Sequence, residues 1–263
     1  MDYELQWGTD KPGHIVFLID LSGSMDDKID YVIESVQKTC QNILTRCVSG
    51  TSIKERVCIS AYGYNYRVTN LFKSNPASMR DIALLLKQSR VSGQPIFDKS
   101  NEAKPEYQTR MQLAFEKAKE DIEQWVSEQK KKGFTKIPAP IVINITDGYP
   151  YEGKEYVQRD VFENTLRAAK TLMDYRTMDG NVRIFNVHYD PSSSISTLRF
   201  PQMRPSGEEL QFLYDASSPM SGDLIAAAKS YGFEEANIGS KCMISNEKEV
   251  SKLASFIEWG SSK

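Results

Sequence analysis

Three short oxygen side chains alternate in the segment DLSGS, those of Asp20, Ser22 and Ser24, directly after an apolar run. Gly23 is free to take backbone conformations closed to other residues, so a tight turn is expected to bring the carboxylate and both hydroxyls together. Oxygen ligands without His or Cys suit a hard cation such as Mg²⁺. The segment predicts a metal site, and the alternative is that these side chains only cap the helix that begins near Asp26.

Two further segments carry side chains of the same chemistry. Asp147 follows the apolar run 140–145 (PIVINI), and Thr109 precedes a strongly periodic helical pattern. The carboxyl ends of parallel strands lie on one edge of a sheet, so Asp147 is expected beside the DLSGS turn. Zinc is disfavoured because His14 and His188 are the only histidines and the cysteines form no cluster.

The pattern of apolar residues predicts the elements that position these side chains. Period-two and continuous apolar runs indicate strands, and spacings of three and four indicate helices. A short gap between residues 62 and 67 predicts an antiparallel hairpin. The predicted order is strand 15–19, helix 27–47, hairpin 56–62 and 67–72, helix 78–87, loop 88–108, helix 109–131, strand 140–145, helix 157–178, strand 182–189, loop 190–220, helix 222–231, strand 242–244 and helix 247–259.

This alternation predicts an α/β fold with a doubly wound, mostly parallel central sheet, one antiparallel edge strand and helices on both faces. The DLSGS turn, residues 147–151 and the loops 88–108 and 190–220 are expected at or near the carboxyl edge of the strands. Long loops at such an edge usually serve binding. Residues 1–263 show no convincing internal boundary and are predicted to form a single domain.

Taken together, these residues carry a resemblance to a known family. The sequence resembles the von Willebrand factor A (VWA) domain family and its metal-ion-dependent adhesion site. That site's DxSxS motif stands here at residues 20–24, its threonine as Thr109 in YQTRMQLAFEKA, and its TDG motif as Thr146-Asp147-Gly148. The resemblance extends in element order over residues 14–259, the expected domain core.

The resemblance implies a Rossmann-like VWA fold and a Mg²⁺ (or Mn²⁺) held by Asp20, Ser22, Ser24, Thr109 and Asp147. In the family both serines, and the threonine in the ligand-bound state, bind the metal directly, while the aspartates act mostly through water. Neutral hydroxyls leave the cation's charge poorly neutralised, so a partner's Asp or Glu is expected to complete the site. The chain also resembles stand-alone bacterial VWA proteins of the tellurite-resistance-associated type, which implies a kinase or phosphatase encoded nearby as partner.

Two other functions remain as alternatives. A metal-indifferent scaffold would bind through the loops 88–108 and 190–220, with Arg199, Phe200, Met203 and Arg204 as contact residues. A metal-dependent hydrolase would need a positioned base, for which His188 is the candidate. A dehalogenase-like phosphatase lacks its second carboxylate because Ser22 holds that position, and no nucleophile elbow or phosphate-binding loop is present. The sequence therefore predicts a non-enzymatic protein.

Composition narrows the partners further. The 263 residues include 33 Lys and Arg against 35 Asp and Glu, a net charge of −2, without the basic excess of nucleic-acid binders. The apolar runs are far shorter than the roughly 20 residues of a membrane span. The first residues do not resemble a secretory signal, and the four cysteines are expected to be reduced thiols. These features predict a cytoplasmic protein with neither a nucleic-acid nor a membrane partner.

Overall fold

A computed structural model describes residues 7–97, 108–190 and 196–247, together with Lys252 and Ser255. A short 3₁₀ helix, Gly23–Met25, follows the first strand. In chain order the other elements are β1 (Gly13–Asp20), α1 (Ile29–Cys47), β2 (Val48–Ser49), β3 (Ser52–Ile53), β4 (Val57–Tyr64), β5 (Val68–Asn70), α2 (Met79–Ser92), α3 (Met111–Lys131), β6 (Ile141–Thr146), α4 (Gln158–Met173), β7 (Arg176–Thr177), β8 (Gly180–Asn181), β9 (Arg183–His188), β10 (Leu198–Arg199), α5 (Glu208–Asp215), α6 (Gly222–Ser230) and β11 (Met243–Ser245).

The central sheet has seven strands in the order β10-β11-β9-β6-β1-β4-β5. Strand β1 is an interior strand that lies between β4 and β6 and is parallel to both. Strands β9 and β11 continue the parallel pairing beyond β6. The predicted hairpin is confirmed, because β5 pairs antiparallel with β4. Strand β10 pairs antiparallel with β11 at the other edge and lies within the predicted loop 190–220. The predicted α/β class with a mostly parallel sheet is therefore confirmed.

The core lies on both faces of the sheet. All eight residues of β1 are buried, and successive side chains of a strand point to opposite faces. Ile15, Phe17 and Ile19 pack with the apolar faces of α1, α2 and α6. Val16 and Leu18 pack with α3, α4 and α5. A strand that is covered on both faces has a continuous run of apolar residues. The apolar run in GHIVFLID therefore predicts a strand in the interior of the sheet.

Two predicted helix ends are wrong. Helix α2 continues to Ser92, so the first residues of the predicted loop 88–108 are helical. In that last part the buried residue is the polar Ser89 and the apolar Val91 is 80% exposed, which hides the helical period. Helix α4 ends at Met173, before its predicted end at residue 178. The residues that follow form the β7–β8 hairpin instead, in which Gly180 has a φ of 129°. Residues 98–107 lie outside the described residues.

The predicted loop 190–220 contains a helix that the sequence reading missed. Helix α5 spans eight residues and buries Leu210, Phe212 and Leu213 against α4 and the sheet. A helix of little more than two turns shows too few repeats for its period to stand out. Of the predicted helix 247–259, the structure describes Glu247, which has no regular secondary structure, and Lys252 and Ser255, which are helical; the other residues lie outside the described ones.

No helix in the described ranges is long and apolar enough to cross a bilayer. All four cysteines have free thiols, and three of them are buried. The prediction that residues 1–263 form one domain stays a prediction.

Candidate metal centre

The DLSGS turn leaves the middle of the sheet at its carboxyl edge. Asp20 is the last residue of β1, and the next backbone N–H, that of Leu21, donates to the Tyr64 carbonyl at 2.8 Å. Asp20 is fully buried, and both of its carboxylate oxygens are engaged. Oδ1 accepts from the Ser22 backbone N–H at 2.8 Å, and Oδ2 accepts from the Thr146 hydroxyl at 2.6 Å. These bonds fix the carboxylate at the root of the turn.

The two serine hydroxyls of the turn lie side by side and reach the second strand end. Ser22 Oγ and Ser24 Oγ are 3.2 Å apart. Ser24 Oγ donates to Asp147 Oδ1 at 2.8 Å, which joins residues 123 positions apart in sequence. The adjacent Thr146 Oγ also accepts from the Gly148 N–H at 3.1 Å and so shapes the turn that presents Asp147. The predicted meeting of the DLSGS and TDG segments is what the structure shows.

The alternative that these side chains merely cap a helix does not match the structure. Helix α1 begins at Ile29, and its N-cap residue is Lys28, with no side-chain cap hydrogen bond. Ser22 precedes the 3₁₀ helix, but its hydroxyl makes no cap hydrogen bond either. The oxygens of Asp20, Ser22 and Ser24 are therefore committed to one another and to the TDG segment.

Thr109 reaches the same edge from a third segment. Its backbone N–H donates to the Tyr151 carbonyl at 2.6 Å and its carbonyl accepts from the Tyr151 N–H at 3.1 Å. The next residue, Arg110, donates its N–H to the Asn65 carbonyl at 2.9 Å, just beyond β4. Thr109 is buried. Among the described hydrogen bonds, none joins its hydroxyl to the other predicted ligands. The structure therefore places the Thr109 segment at this edge, while the role of Thr109 as a ligand stays a prediction.

Lys28 belongs to this site and was missed by the sequence reading. Its Nζ donates to Asp147 Oδ2 at 2.6 Å and lies 3.6 Å from Asp190 Oδ1. The residue is only 9% exposed. One signal pointed to it, because a cation at the N-terminus of a helix opposes the helix dipole and needs another reason to be there.

Burial and charge shape the ionisation of the site. Burial, together with the negative charge of Asp147, raises the pKa of Asp20 to about 6. The hydrogen bond from Thr146 opposes this rise. The pKa of Glu209 is also raised, first by burial and then by the charges of Asp190 and Asp147. Two separate carboxyl groups thus respond to a negative potential at this edge, which a bound cation would relieve.

The donor set fits a hard divalent cation. It consists of carboxylate and hydroxyl oxygens, the ligands that Mg²⁺ and Mn²⁺ prefer. Across residues 7–97, 108–190 and 196–247, no group of three or more His, Cys, Asp and Glu side chains is arranged to hold a metal ion. The carboxylates of Asp20 and Asp147 therefore need the serine hydroxyls, and water or a partner, to complete a coordination shell.

The candidate base is only partly engaged, and most of the candidate contact residues make contacts within the chain. His188 is buried and burial lowers its pKa; its Nδ1 lies 3.0 Å from Ser245 Oγ, whereas its Nε2 makes no hydrogen bond among the described residues. Arg199 pairs with Glu247 and Glu235, Arg204 pairs with Asp215, and Phe200 is buried. Of the four contact residues predicted for loop 190–220, Met203 is 83% exposed and the side chain of Arg204 also remains exposed.

Comparison with known proteins supports the fold. No family model and no curated protein matches the sequence. The pilus adhesin SpaC from Lactobacillus rhamnosus GG is similar in structure, with a TM-score of 0.51 and 12% identity over 94% of this chain and 29% of SpaC. At this identity the likeness shows a shared fold, and this chain corresponds to less than a third of SpaC.

Other solved structures are more distant and include named VWA domains. Proximal thread matrix protein 1 from the mussel byssus, described with a zinc-occupied MIDAS motif, has a TM-score of 0.44 at 13% identity over 95% of this chain and 47% of its own. A von Willebrand factor type A protein from Catenulispora acidiphila has a TM-score of 0.42 at 12% identity over 69% of this chain and 35% of its own. This chain therefore spans half or less of each of these proteins.

Proposed function

We propose that this chain is a metal-dependent protein-binding module rather than an enzyme. A Mg²⁺ (or Mn²⁺) would be held by Asp20, Ser22, Ser24, Thr109 and Asp147 at the carboxyl edge of the sheet. The observation that carries the proposal is the Ser24–Asp147 hydrogen bond of 2.8 Å beside the buried Asp20 carboxylate, which gathers oxygen ligands from distant segments.

The chain's own residues define what the ion would do. The hydrogen bond between Thr146 and Asp20 holds the start of the turn in place. Ser22 and Ser24 offer neutral hydroxyl oxygens, which would leave much of the ion's positive charge unneutralised. When bound, the ion supplies an electrophilic point that attracts one more anionic oxygen. An Asp or Glu carboxylate of a partner protein is the group that fits. This chemistry needs no general base.

The partner's class follows from the family resemblance alone. A kinase or phosphatase encoded nearby, in the cytoplasm of a bacterium, is the partner to test first. The metal-indifferent scaffold remains the competing function, although Arg199 is largely covered in its ion pair with Glu247 and Phe200 is buried.

Affinity capture from native extract tests the proposal. The bait is used with Mg²⁺, with EDTA, and as a Ser22→Ala variant. Ser92→Ala serves as the matched control, because the Ser92 hydroxyl is exposed and makes only local bonds at the end of α2, donating to the Gln88 carbonyl and accepting from the Gln94 N–H. We expect one partner to be retained by the wild type and the control in Mg²⁺ and lost in the other two arms. Capture that ignores both EDTA and Ser22→Ala would favour the scaffold.

A further inference from the structure

The Lys28 ammonium lies among the carboxylates of the candidate metal centre. It donates to Asp147 Oδ2 at 2.6 Å, while the other oxygen of the same carboxylate accepts from Ser24. Its second carboxylate neighbour is Asp190, at 3.6 Å. A fixed positive charge thus lies against one of the two carboxylates expected to serve the divalent ion.

The position of this ammonium is fixed by elements on both sides. Lys28 occupies the N-cap of α1, and Asp147 directly follows β6. Asp190 lies just beyond β9, where its backbone N–H donates to Asn246 Oδ1 at 3.1 Å. Asn246 is itself fully buried, with a left-handed φ of 54° and its N–H bonded to the His188 carbonyl. The pair is part of the packed edge of the sheet, unlike an exposed lysine that visits a carboxylate transiently.

The lysine remains charged in this environment. Burial opposes its charged form, but the hydrogen bond and charge of Asp147, together with Asp190 and Asp27, outweigh burial and raise the pKa of Lys28. The structure therefore contains a permanent monovalent cation at the place where the proposed function requires a divalent one.

We propose that Lys28 is a built-in counter-cation that holds the metal affinity of this site low. It neutralises Asp147 and Asp190 in the metal-free chain and repels the incoming divalent ion, so that firm metal binding awaits the extra negative charge of a partner's carboxylate. This inference rests on the proposed function and adds to it a means of coupling metal binding to partner binding.

The direction of the effect follows from electrostatics. Replacing Lys28 by a neutral residue removes the repulsion on the ion and leaves Asp147 Oδ2 free of its ammonium. At the effective dielectric of a partly buried protein site, a unit charge several ångströms from a divalent ion alters its affinity by about tenfold or more. The same replacement removes the internal counter-ion of Asp147, so the metal-free variant is expected to be less stable than the wild type.

The test is calorimetric titration of Mn²⁺, with no partner present, into the metal-free full chain. Lys28→Met removes both the charge and the hydrogen bond, and Lys28→Gln keeps a hydrogen-bond donor while removing the charge. Lys131→Met is the matched control, because it loses the same charge at the exposed C-terminus of α3, the end far from Thr109. Ser22→Ala is titrated beside them as the test of the site itself.

We expect both Lys28 variants to bind Mn²⁺ about tenfold more tightly than the wild type, with Lys131→Met unchanged. If Lys28→Met does not fold, Lys28→Gln alone decides the question. Unchanged or weaker binding by the folded Lys28 variants, with Ser22→Ala weakened, would overturn the counter-cation role and leave the metal site standing. If Ser22→Ala binds as the wild type does, the proposed function fails instead.

Discussion

Asp20 illustrates how a binding residue can oppose the stability of the fold that carries it. Its carboxylate is fully buried and close enough to Asp147 for that charge to raise its pKa. Two hydrogen bonds from Thr146 and Ser22 offset this only in part. Residues whose charge is unfavourable in the empty protein and useful with a ligand are typical of binding sites.

The raised pKa gives a stability prediction with a definite sign. The folded state holds the Asp20 proton up to about pH 6, whereas the ordinary pKa is 3.8. The folded state therefore binds more protons between these values, and this group's contribution to stability is lost as the pH rises through about 6. In EDTA at pH 7, Asp20→Asn is expected to raise the free energy of unfolding by about 3 kcal/mol, the equivalent of that shift.

Urea unfolding of both proteins in EDTA, from pH 4 to pH 7, measures this difference. The gap is expected to open as the pH rises, while added Mg²⁺ stabilises the wild type and not the variant. A variant that is less stable than the wild type at pH 7, or a difference in the free energy of unfolding that does not depend on pH, would show that the ionised Asp20 does not destabilise the fold.

At the scale of elements, a row of buried amides ties the parallel strands together. The Tyr64 hydroxyl donates to Asn144 Oδ1 at 2.8 Å, Asn144 Nδ2 donates to Asn186 Oδ1 at 2.8 Å, and Asn186 Nδ2 donates to Ser217 Oγ at 2.9 Å. The chain of bonds crosses β4, β6 and β9 and ends just after α5. All of these groups are buried, so each depends on its neighbour for a partner.

Removing one member should therefore affect the whole row. Asn144→Leu is expected to lower the free energy of unfolding by about 2–4 kcal/mol, because the buried Tyr64 hydroxyl loses its acceptor and the buried Asn186 Oδ1 loses its donor. Asn164→Leu, on the exposed face of α4, is the matched control and is expected to change stability by less than about 0.5 kcal/mol. Equal, small effects of the two substitutions in thermal or urea unfolding would show that the row is replaceable.

The elements also show what the sequence reveals and what it hides. Asp20 and Asp147 could be predicted because each stands at the end of a strand buried on both faces, whose continuous apolar run is unmistakable. For Lys28 the sequence offers only its unfavourable position at a helix N-terminus, because its pairing with Asp147 and Asp190 depends on three segments meeting in space. Helix α5 was hidden by its shortness.

At the scale of the whole molecule, the site exists only when the chain is folded. Its described ligand candidates come from the ends of β1 and β6 and from the start of α3, and the Ser24–Asp147 bond spans 123 residues. A ligand that binds only the folded state stabilises it by mass action. The net charge of −2 gives no broad field to attract a partner, so under the proposed function recognition would rest on the local charge of the metal site.

The most direct test of this account is calorimetric titration of Mg²⁺, and separately Mn²⁺, into the metal-free wild type, Ser22→Ala and Ser92→Ala proteins. The account predicts one site per chain in the wild type, binding weakened by about tenfold or more in Ser22→Ala, and no change in Ser92→Ala. Absence of binding to the wild type even at the highest metal concentrations of the titration, or equal affinity of the wild type and Ser22→Ala, would contradict it.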